Sequence, residues 1–266
     1  NSYMKTGPRS KKKHPRRLLT VLSVPSFLIP CILYNMSVSS VRVPAAKTAK
    51  SAIIFFHGLG DSGEGWAWFP QVMKQTGLFK SQDQTNFVFP NAPEMPITAN
   101  GGYRMPGWFD IYQFGGTSSR QDKEGFLKSC EVFKALINEQ VEKHNIKPEN
   151  IVIGGFSQGS ALSMAVLSML DYKIGGLLAI SGFCPIPDTI REIHNKNGVN
   201  FDTPVFQGHG DQDEIIPLAV AENASKLYKE IGFKNWSFKT YQGVAHSTSE
   251  QELVEAIKFI SLVLDK

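Results

Sequence analysis

Short apolar runs alternate with longer segments of helical period along most of this chain. The runs predict buried strands at 51–56, 86–90, 151–154, 175–180, 204–207 and 236–241, with an edge strand at 41–43. Apolar residues at helical spacing predict helices at 65–77, 123–144, 218–231 and 247–264, and another directly after residue 157. Residues 91–118 have no clear period. The alternation predicts an α/β fold, a mainly parallel sheet with helices on both faces, as a single domain over residues 40–266.

The first 35 residues depart from this pattern. They carry seven Lys or Arg and no Asp or Glu, and an apolar stretch at 18–34, interrupted by Pro25 and Pro30, follows the basic run at 11–17. This order is typical of signal peptides and anchors, but the stretch is short and Pro-broken for a membrane span, and no small-residue cleavage site follows. We expect residues 1–35 to be disordered or to lie outside the functional protein, with secretory targeting as the minor alternative.

Charge and cysteine content exclude several functional classes. The formal net charge is +4, but the residues after the basic segment carry −3, which gives no electrostatic reason to expect nucleic-acid binding. Cys31, Cys130 and Cys184 lie far apart and form neither a disulfide framework nor a zinc motif. We therefore expect a protein of a reducing compartment, the cytoplasm with the nucleus as a further location, without a metal or cofactor and without a stable membrane span.

The segment from Gly155 to Gly159, Gly-Phe-Ser-Gln-Gly, is the central motif. This G-x-S-x-G pattern stands between a predicted strand and a predicted helix, the context in which it forms a nucleophile turn. Such a turn strains the backbone at Ser157, and the glycines two residues away avoid a collision of Cβ with the crossing chain. The helix begins at the serine, so its free N–H groups and positive dipole end face the reaction centre. The motif predicts Ser157 as a nucleophile, with a Gly-rich turn carrying an incidental serine as the alternative.

A serine nucleophile needs a base to take its proton and a carboxylate to orient that base. In this architecture the chain order is serine, acid, histidine, so the base lies after Ser157. His246 lies in the loop between the last strand and the last helix. His194 lies in a polar stretch that no strand precedes, and His209 would share its loop with the acid. His246 is therefore the predicted base.

Two carboxylates, Asp211 and Asp213, follow the next-to-last strand, and spacing does not separate them. Asp211 is closer to the strand end and could instead accept hydrogen bonds from loop backbone. The reaction also needs donors for a developing oxyanion. The Gln158 N–H, directly after the nucleophile, and the Leu59 N–H, in the Gly-rich turn after an earlier strand, are the predicted donors. His57, at that strand end, is predicted to be structural.

These segments resemble the acyl-protein thioesterase family of phospholipase/carboxylesterase-type α/β-hydrolases, and most of all its fungal members. The matching stretches, in family order across about residues 40–266, are Phe56-His-Gly-Leu-Gly-Asp61, Pro90-Asn-Ala-Pro93, Pro106-Gly-Trp-Phe-Asp110, Gly154-Gly-Phe-Ser-Gln-Gly159, His209-Gly-Asp-Gln-Asp213 with Pro217, and Phe238-Lys-Thr-Tyr241 through Gly243 to His246-Ser247. The resemblance implies an α/β-hydrolase fold without a large cap domain, Asp213 as the acid, and Leu59 and Gln158 as oxyanion-hole positions. Ser160 stands where many members have glycine, a change small enough to leave the turn intact.

The resemblance further implies a serine hydrolase that removes palmitoyl groups from S-acylated cysteines through an acyl-enzyme. Its implied partners are palmitoylated signalling proteins such as G-protein α subunits, and lysophospholipids for some members. The aperiodic segment at 92–114 is rich in apolar side chains and suits an acyl channel, for which we predict Met105, Trp108 and Phe109. The alternative for Trp108 and Phe109 is packing in the core.

Two other functions are compatible with these residues. One is a general carboxylesterase or lysophospholipase, which would use the same three side chains. The other is a non-catalytic binding protein with a hydrolase fold, against which the intact set of Ser157, Asp213 and His246 speaks. No sequence feature indicates an oligomeric state.

Overall fold

The computed structural model describes residues 37–115 and 120–266. The predicted N-terminal extension, 1–35, lies outside the described residues. The strands are β1 Ser40–Val43, β2 Ser51–Phe56, β3 Thr85–Pro90, β4 Glu94–Ile97, β5 Tyr103–Pro106, β6 Ile151–Phe156, β7 Gly176–Ile180, β8 Val205–Gly210 and β9 Trp236–Tyr241. The α-helices are α1 Phe69–Thr76, α2 Lys123–His144, α3 Gln158–Met169, α4 Pro187–Ile193, α5 Leu218–Ile231 and α6 Glu250–Leu264.

In the described part of the chain, seven strands form the main sheet in the order β1-β3-β2-β6-β7-β8-β9. Every neighbouring pair is parallel except β1 and β3. The mainly parallel sheet predicted from the strand–helix alternation is therefore confirmed. Because β6 is central, with β2 and β7 on either side, the turn after β6 lies in the middle of the carboxyl edge, where ligands bind in open α/β sheets.

Apolar side chains from successive strand residues enter cores on opposite faces of the sheet. In β2, Ile54 and Phe56 pack into one core while Ile53 and Phe55 pack into the other. Helices α2, α3, α4 and α5 cover the first face, and α1 and α6 cover the second. Helix α3 is buried over nearly its whole length. Each large apolar side chain buried in this way contributes about 1.5–3 kcal/mol, so the helix that follows Ser157 is rigidly held.

Three predicted elements begin or end three or more residues away from their predicted bounds. Helix α1 begins only at Phe69, with Pro70 in its first turn, and ends at Gly77, which has a φ of 65°. Strand β8 continues to Gly210, so His209 lies in the strand rather than in the following loop. Helix α6 starts at Glu250 instead of 247, because its N-cap is Ser249.

The aperiodic segment after β3 contains a small two-stranded sheet, in which β4 and β5 pair in an antiparallel manner. Each of these strands has four residues, too short for an alternating pattern to show, and Pro96 interrupts the first. The short helix α4 was also not predicted. Across residues 37–115 and 120–266, no helix combines the length and the apolar character needed to cross a bilayer.

Candidate active site

The turn between β6 and α3 has the geometry of a nucleophile elbow. Ser157 has φ 54° and ψ −112°, a strained conformation for a residue with a side chain. A Cβ on Gly155 would lie 2.2 Å from the carbonyl carbon of Gly159, and one on Gly159 would lie 2.0 Å from Phe56 O. The two glycines are thus required for the chain to cross itself here. Ser160, which departs from the family pattern, is buried in the first turn of α3 and leaves the geometry of the elbow intact.

The structure brings together the three predicted side chains, which come from loops far apart in sequence. His246 Nε2 lies 3.0 Å from Ser157 Oγ, and His246 Nδ1 lies 2.7 Å from Asp213 Oδ2. Because a carboxylate only accepts hydrogen bonds, the imidazole proton is on Nδ1. Nε2 therefore carries the lone pair that faces the serine hydroxyl. This row can take a proton from Ser157 and stabilise the imidazolium that results.

Three hydrogen-bond donors stabilise the ionised form of Asp213. Its Oδ1 accepts hydrogen bonds from the Ile215 N–H at 2.9 Å and the Ile216 N–H at 2.8 Å, while Oδ2 accepts from His246. Burial alone would raise the pKa of this carboxyl group. The hydrogen bonds from His246 and Ile216 outweigh burial and lower its pKa.

Asp211 and His209 support the loop around this carboxylate. Asp211 Oδ1 accepts a hydrogen bond of 2.7 Å from the Gly243 N–H, which ties the loop after β8 to the loop after β9. His209 is fully buried, and its Nε2–H donates to Ile216 O at 2.8 Å. Burial lowers the pKa of His209, so it is neutral at physiological pH. Spacing left Asp211 and Asp213 open, and only Asp213 lies against His246.

The two predicted oxyanion donors border the same cavity as Ser157. Gln158 is the first residue of α3, so its N–H has no carbonyl partner within the helix. Leu59 lies in the turn after β2, and this turn comes close to the nucleophile. A Cβ on Gly58 would lie 3.3 Å from Ser157 Cβ, so the two segments are in close contact here. Leu59 and Gln158 therefore both lie at the cavity beside Ser157, and their N–H groups remain the candidate oxyanion donors.

His57 is fixed within the scaffold beneath this turn. Its Nε2 accepts a hydrogen bond of 3.0 Å from the Ala92 N–H, and its Nδ1–H donates to Gly58 O at 2.6 Å. Burial lowers the pKa of His57, which stays neutral. Both ring nitrogens are therefore engaged with backbone, as its position at the strand end suggested.

A cavity of about 300 Å³ opens beside Ser157. Its walls are mainly apolar, and the residues that line it are Gly58, Leu59, Asp61, Ile111, Gln113, Phe114, Gly115, Gln121, Phe156, Ser157, Gln158, Phe183, Pro185, Ile215, Ile216 and His246. Phe114 and Ile215 are also exposed at the surface, so they form part of the rim. The volume and lining suit an apolar ligand chain with few polar contacts.

None of Met105, Trp108 and Phe109, the predicted channel residues, lines this cavity. Trp108 and Phe109 are 3% and 1% exposed and belong to the core under α2 and α3. Met105 lies in β5, opposite Met95. Apolar composition identified the right segment of the chain, but it could not tell which of its side chains face inward.

The sequence analysis did not predict the apolar side chains that the loops after β7 and β8 contribute to the cavity. Phe183 and Pro185 follow β7, and Ile215 and Ile216 follow β8. A signal was present in the sequence, because loops after parallel strands meet at the carboxyl edge that carries Ser157. Among the described residues, no group of three His, Cys, Asp or Glu is arranged to hold a metal ion.

Comparison with known proteins assigns the chain to a family. The model of the phospholipase/carboxylesterase family matches residues 37–264. The chain belongs to the phospholipase/carboxylesterase family. The resemblance and the α/β-hydrolase fold predicted from the sequence are thereby confirmed, and the protein is a hydrolase.

The relatives of this phospholipase/carboxylesterase-family protein include fungal acyl-protein thioesterases. Acyl-protein thioesterase 1 of Debaryomyces hansenii is 57% identical over 230 residues, which cover 86% of this chain and 98% of that protein. The protein of the same name from Candida albicans is 56% identical, over 87% of this chain and 100% of its own length.

Solved structures of plant proteins have the same fold as this family member. Arabidopsis thaliana SOBER1 is 29% identical with a TM-score of 0.74, over 81% of this chain and 100% of that chain. Zea mays acyl-protein thioesterase 2, at 24% identity, matches with a TM-score of 0.72 over 86% of this chain and 100% of its own, which shows the shared fold.

Proposed function

We propose that this protein is an acyl-protein thioesterase that hydrolyses long-chain acyl thioesters, chiefly palmitoyl, on cysteines of other proteins. The observation that carries the proposal is the hydrogen-bonded row of Ser157, His246 and Asp213 beside an apolar cavity. The fungal relatives named acyl-protein thioesterase 1, at 57% and 56% identity, support the substrate class. The proposed substrates are S-palmitoylated signalling proteins of the G-protein α-subunit kind, encountered in the cytoplasm.

In the proposed first half-reaction, His246 Nε2 takes the proton of Ser157 as Oγ attacks the thioester carbonyl carbon. The carbonyl oxygen becomes an oxyanion that the N–H groups of Leu59 and Gln158 stabilise. The intermediate collapses, the C–S bond breaks, and the imidazolium can protonate the leaving cysteine thiolate. Asp213 keeps the imidazole in the required tautomer and stabilises its positive charge.

In the second half-reaction, water takes the place of the thiol. His246 removes a proton from water as its oxygen attacks the acyl-serine, and a second oxyanion forms at the same two donors. Collapse returns the proton to Ser157 and releases the fatty acid. A cysteine thiolate, with a parent pKa of about 8.5, needs less protonation to leave than an alkoxide does.

A second candidate is an oxygen-ester hydrolase that acts on lysophospholipids or simple carboxylic esters. The family description, phospholipase/carboxylesterase, favours it, and the same side chains would carry out the chemistry. The two candidates differ in the leaving group and in the length of the acyl chain. Comparison of catalytic efficiency on a palmitoylated cysteine peptide, a lysophospholipid and a short-chain ester distinguishes them, and a strong preference for either ester would contradict the thioesterase proposal.

The enzymatic proposal has a direct test in fluorophosphonate labelling. We expect the probe to label native protein at Ser157 and not to label Ser157→Ala, which should lose on the order of 10⁶ in kcat. Equal labelling of both proteins, or no labelling of the native protein, would rule out Ser157 as the nucleophile and would favour a binding protein with a hydrolase fold.

A further inference from the structure

The side chain of Gln158 has contacts that its main-chain N–H does not explain. The amide is 2% exposed, and it bonds in both directions to the backbone of one segment. Its Oε1 accepts from the Trp108 N–H at 3.0 Å, and its Nε2 donates to Phe109 O at 2.8 Å. Trp108 and Phe109 follow β5 and belong to no helix or strand, so their position is set by such contacts. Two opposed hydrogen bonds fix it in register with the first residue of α3.

The same segment is tied to the turn that carries Leu59. The indole Nε1–H of Trp108 donates to His57 O at 2.9 Å, before the turn, and Pro106 O accepts from the Gly60 N–H at 2.7 Å, after it. The hydroxyl of Ser129, on α2, donates to Trp108 O. Residues 106–109 therefore form a strut that runs from Gln158 to both ends of the oxyanion turn.

We infer that the Gln158 side chain is a positioning residue, which sets the Leu59 N–H relative to the Gln158 N–H and so shapes the oxyanion hole. The inference rests on the proposed function. Donors act well only at about 2.7–3.1 Å from the developing oxyanion, and misplacement by about 1 Å can cost on the order of 10² in rate. A glutamine at this place offers one acceptor and one donor at once, as the two backbone groups of the strut require.

Replacement of Gln158 by methionine tests the inference, because Gln158→Met keeps the main-chain N–H and nearly the same volume but loses both amide contacts. We expect kcat to fall roughly 10- to 100-fold on both a short-chain ester and a palmitoyl thioester, with KM within about threefold of wild type. Fluorophosphonate should still label Ser157 to completion, at a lower rate. Ser163→Ala, which removes another buried hydrogen bond within α3, is the matched control and should keep the wild-type kcat.

Trp108→Phe provides a second route, which stays informative if Gln158→Met does not fold. It removes the bond to His57 O at the other end of the strut and should lower kcat with the same small change in KM. Because both substitutions act through one element, the double variant should lose clearly less than the product of the two single losses.

Three results would overturn the inference. They are an unchanged kcat in both single variants, losses that multiply in the double variant, or a KM increase confined to the palmitoyl substrate, which would make the segment a wall of the acyl cavity only. Wild-type labelling separates these results from failure of the proposed function. If native protein is not labelled, the nucleophile assignment fails, whereas normal labelling together with any of these three results rejects this inference alone.

Discussion

Two carboxyl groups are buried beside β8, and their surroundings differ completely. Asp213, in the loop after the strand, accepts hydrogen bonds from His246 and from two backbone N–H groups. Glu252, in the first turn of α6, points towards Gly208, and in the described part of the chain neither of its carboxyl oxygens has a hydrogen-bond partner. Burial raises the pKa of Glu252 to about 7, with a further contribution from the nearby Glu255 charge. Donors, rather than depth, decide which of the two is ionised.

The comparison also separates a carboxylate with a proposed catalytic role from a carboxyl group that has none. The charge on Asp213 faces a side chain that becomes cationic during the proposed reaction, so ionisation there is useful. Glu252 lies directly against Gly208, since a Cβ at that position would lie 2.2 Å from Glu252 Oε1. Burial without a hydrogen-bond partner among the described residues favours its neutral form. Ionisation of Glu252 would therefore lower the stability of the fold.

The largest expected effect comes from removal of the charge on Asp213. In Asp213→Asn the His246 Nδ1–H loses its anionic acceptor, and the amide can favour the wrong tautomer of the imidazole. We expect kcat on the palmitoyl peptide to fall by about 10⁴, with the fold intact by circular dichroism. Steady-state kinetics on matched preparations measures the change.

Asp211→Asn is the matched control for that variant. The Asn oxygen can still accept the hydrogen bond from the Gly243 N–H, which is 2.7 Å from Asp211 Oδ1. Activity within a few-fold of wild type is expected, because a neutral acceptor keeps the loops tied together. A loss as large as that of Asp213→Asn would show that the two carboxylates share the orienting role.

A smaller effect, on stability and with a defined pH dependence, is expected for Glu252→Gln. The pKa of Glu252 is raised from 4.5 to about 7 in the folded state. The folded protein therefore binds the proton more tightly than the unfolded chain, and wild-type stability falls as pH rises from 4.5 through 7. This loss amounts to about 3 kcal/mol by pH 8, and the neutral amide should avoid it.

Urea unfolding at pH 5, 6, 7 and 8 measures this difference. The free energy of unfolding of Glu252→Gln minus that of wild type should increase with pH over this range. Parallel curves for the two proteins would show that Glu252 keeps an ordinary pKa. Asp265 directly follows α6, and its carboxylate accepts hydrogen bonds from the Ser81 N–H and the Ser261 hydroxyl. Asp265→Asn should therefore not show this increase in relative stability with pH.

The smallest expected effect concerns the start of α6. Ser249 Oγ accepts a hydrogen bond of 3.1 Å from the Glu252 N–H and so caps the helix that carries the buried carboxyl group. Ser249→Ala should lower the free energy of unfolding by about 1 kcal/mol, seen as a Tm lower by about 2–4 °C. Ser247→Ala, at the position where the sequence predicted the start of this helix, should change it by less than about 0.5 kcal/mol. A larger loss of stability in Ser247→Ala than in Ser249→Ala would show that residue 247 caps the helix.

Much of the fold and the row of side chains at Ser157 followed from the sequence. Buried parallel strands are continuous apolar runs, and long helices show their period, so β2, α2 and α5 could be read directly. The elbow motif identified Ser157, and the chain order together with its place in the loop before the last helix singled out His246. These inferences depend on local pattern and on connectivity, which are properties of the chain itself.

Tertiary structure decided what the local sequence pattern leaves open. Asp211 and Asp213 are two residues apart in one loop, and only the packing of that loop turns Asp213 to His246 and Asp211 to Gly243. Apolar composition likewise could not tell that Trp108 enters the core while Ile215 faces the cavity. Side-chain direction in an irregular loop depends on contacts with distant segments. Sequence therefore determined which residues reach the carboxyl edge of the sheet, and three-dimensional packing determined which of them face one another.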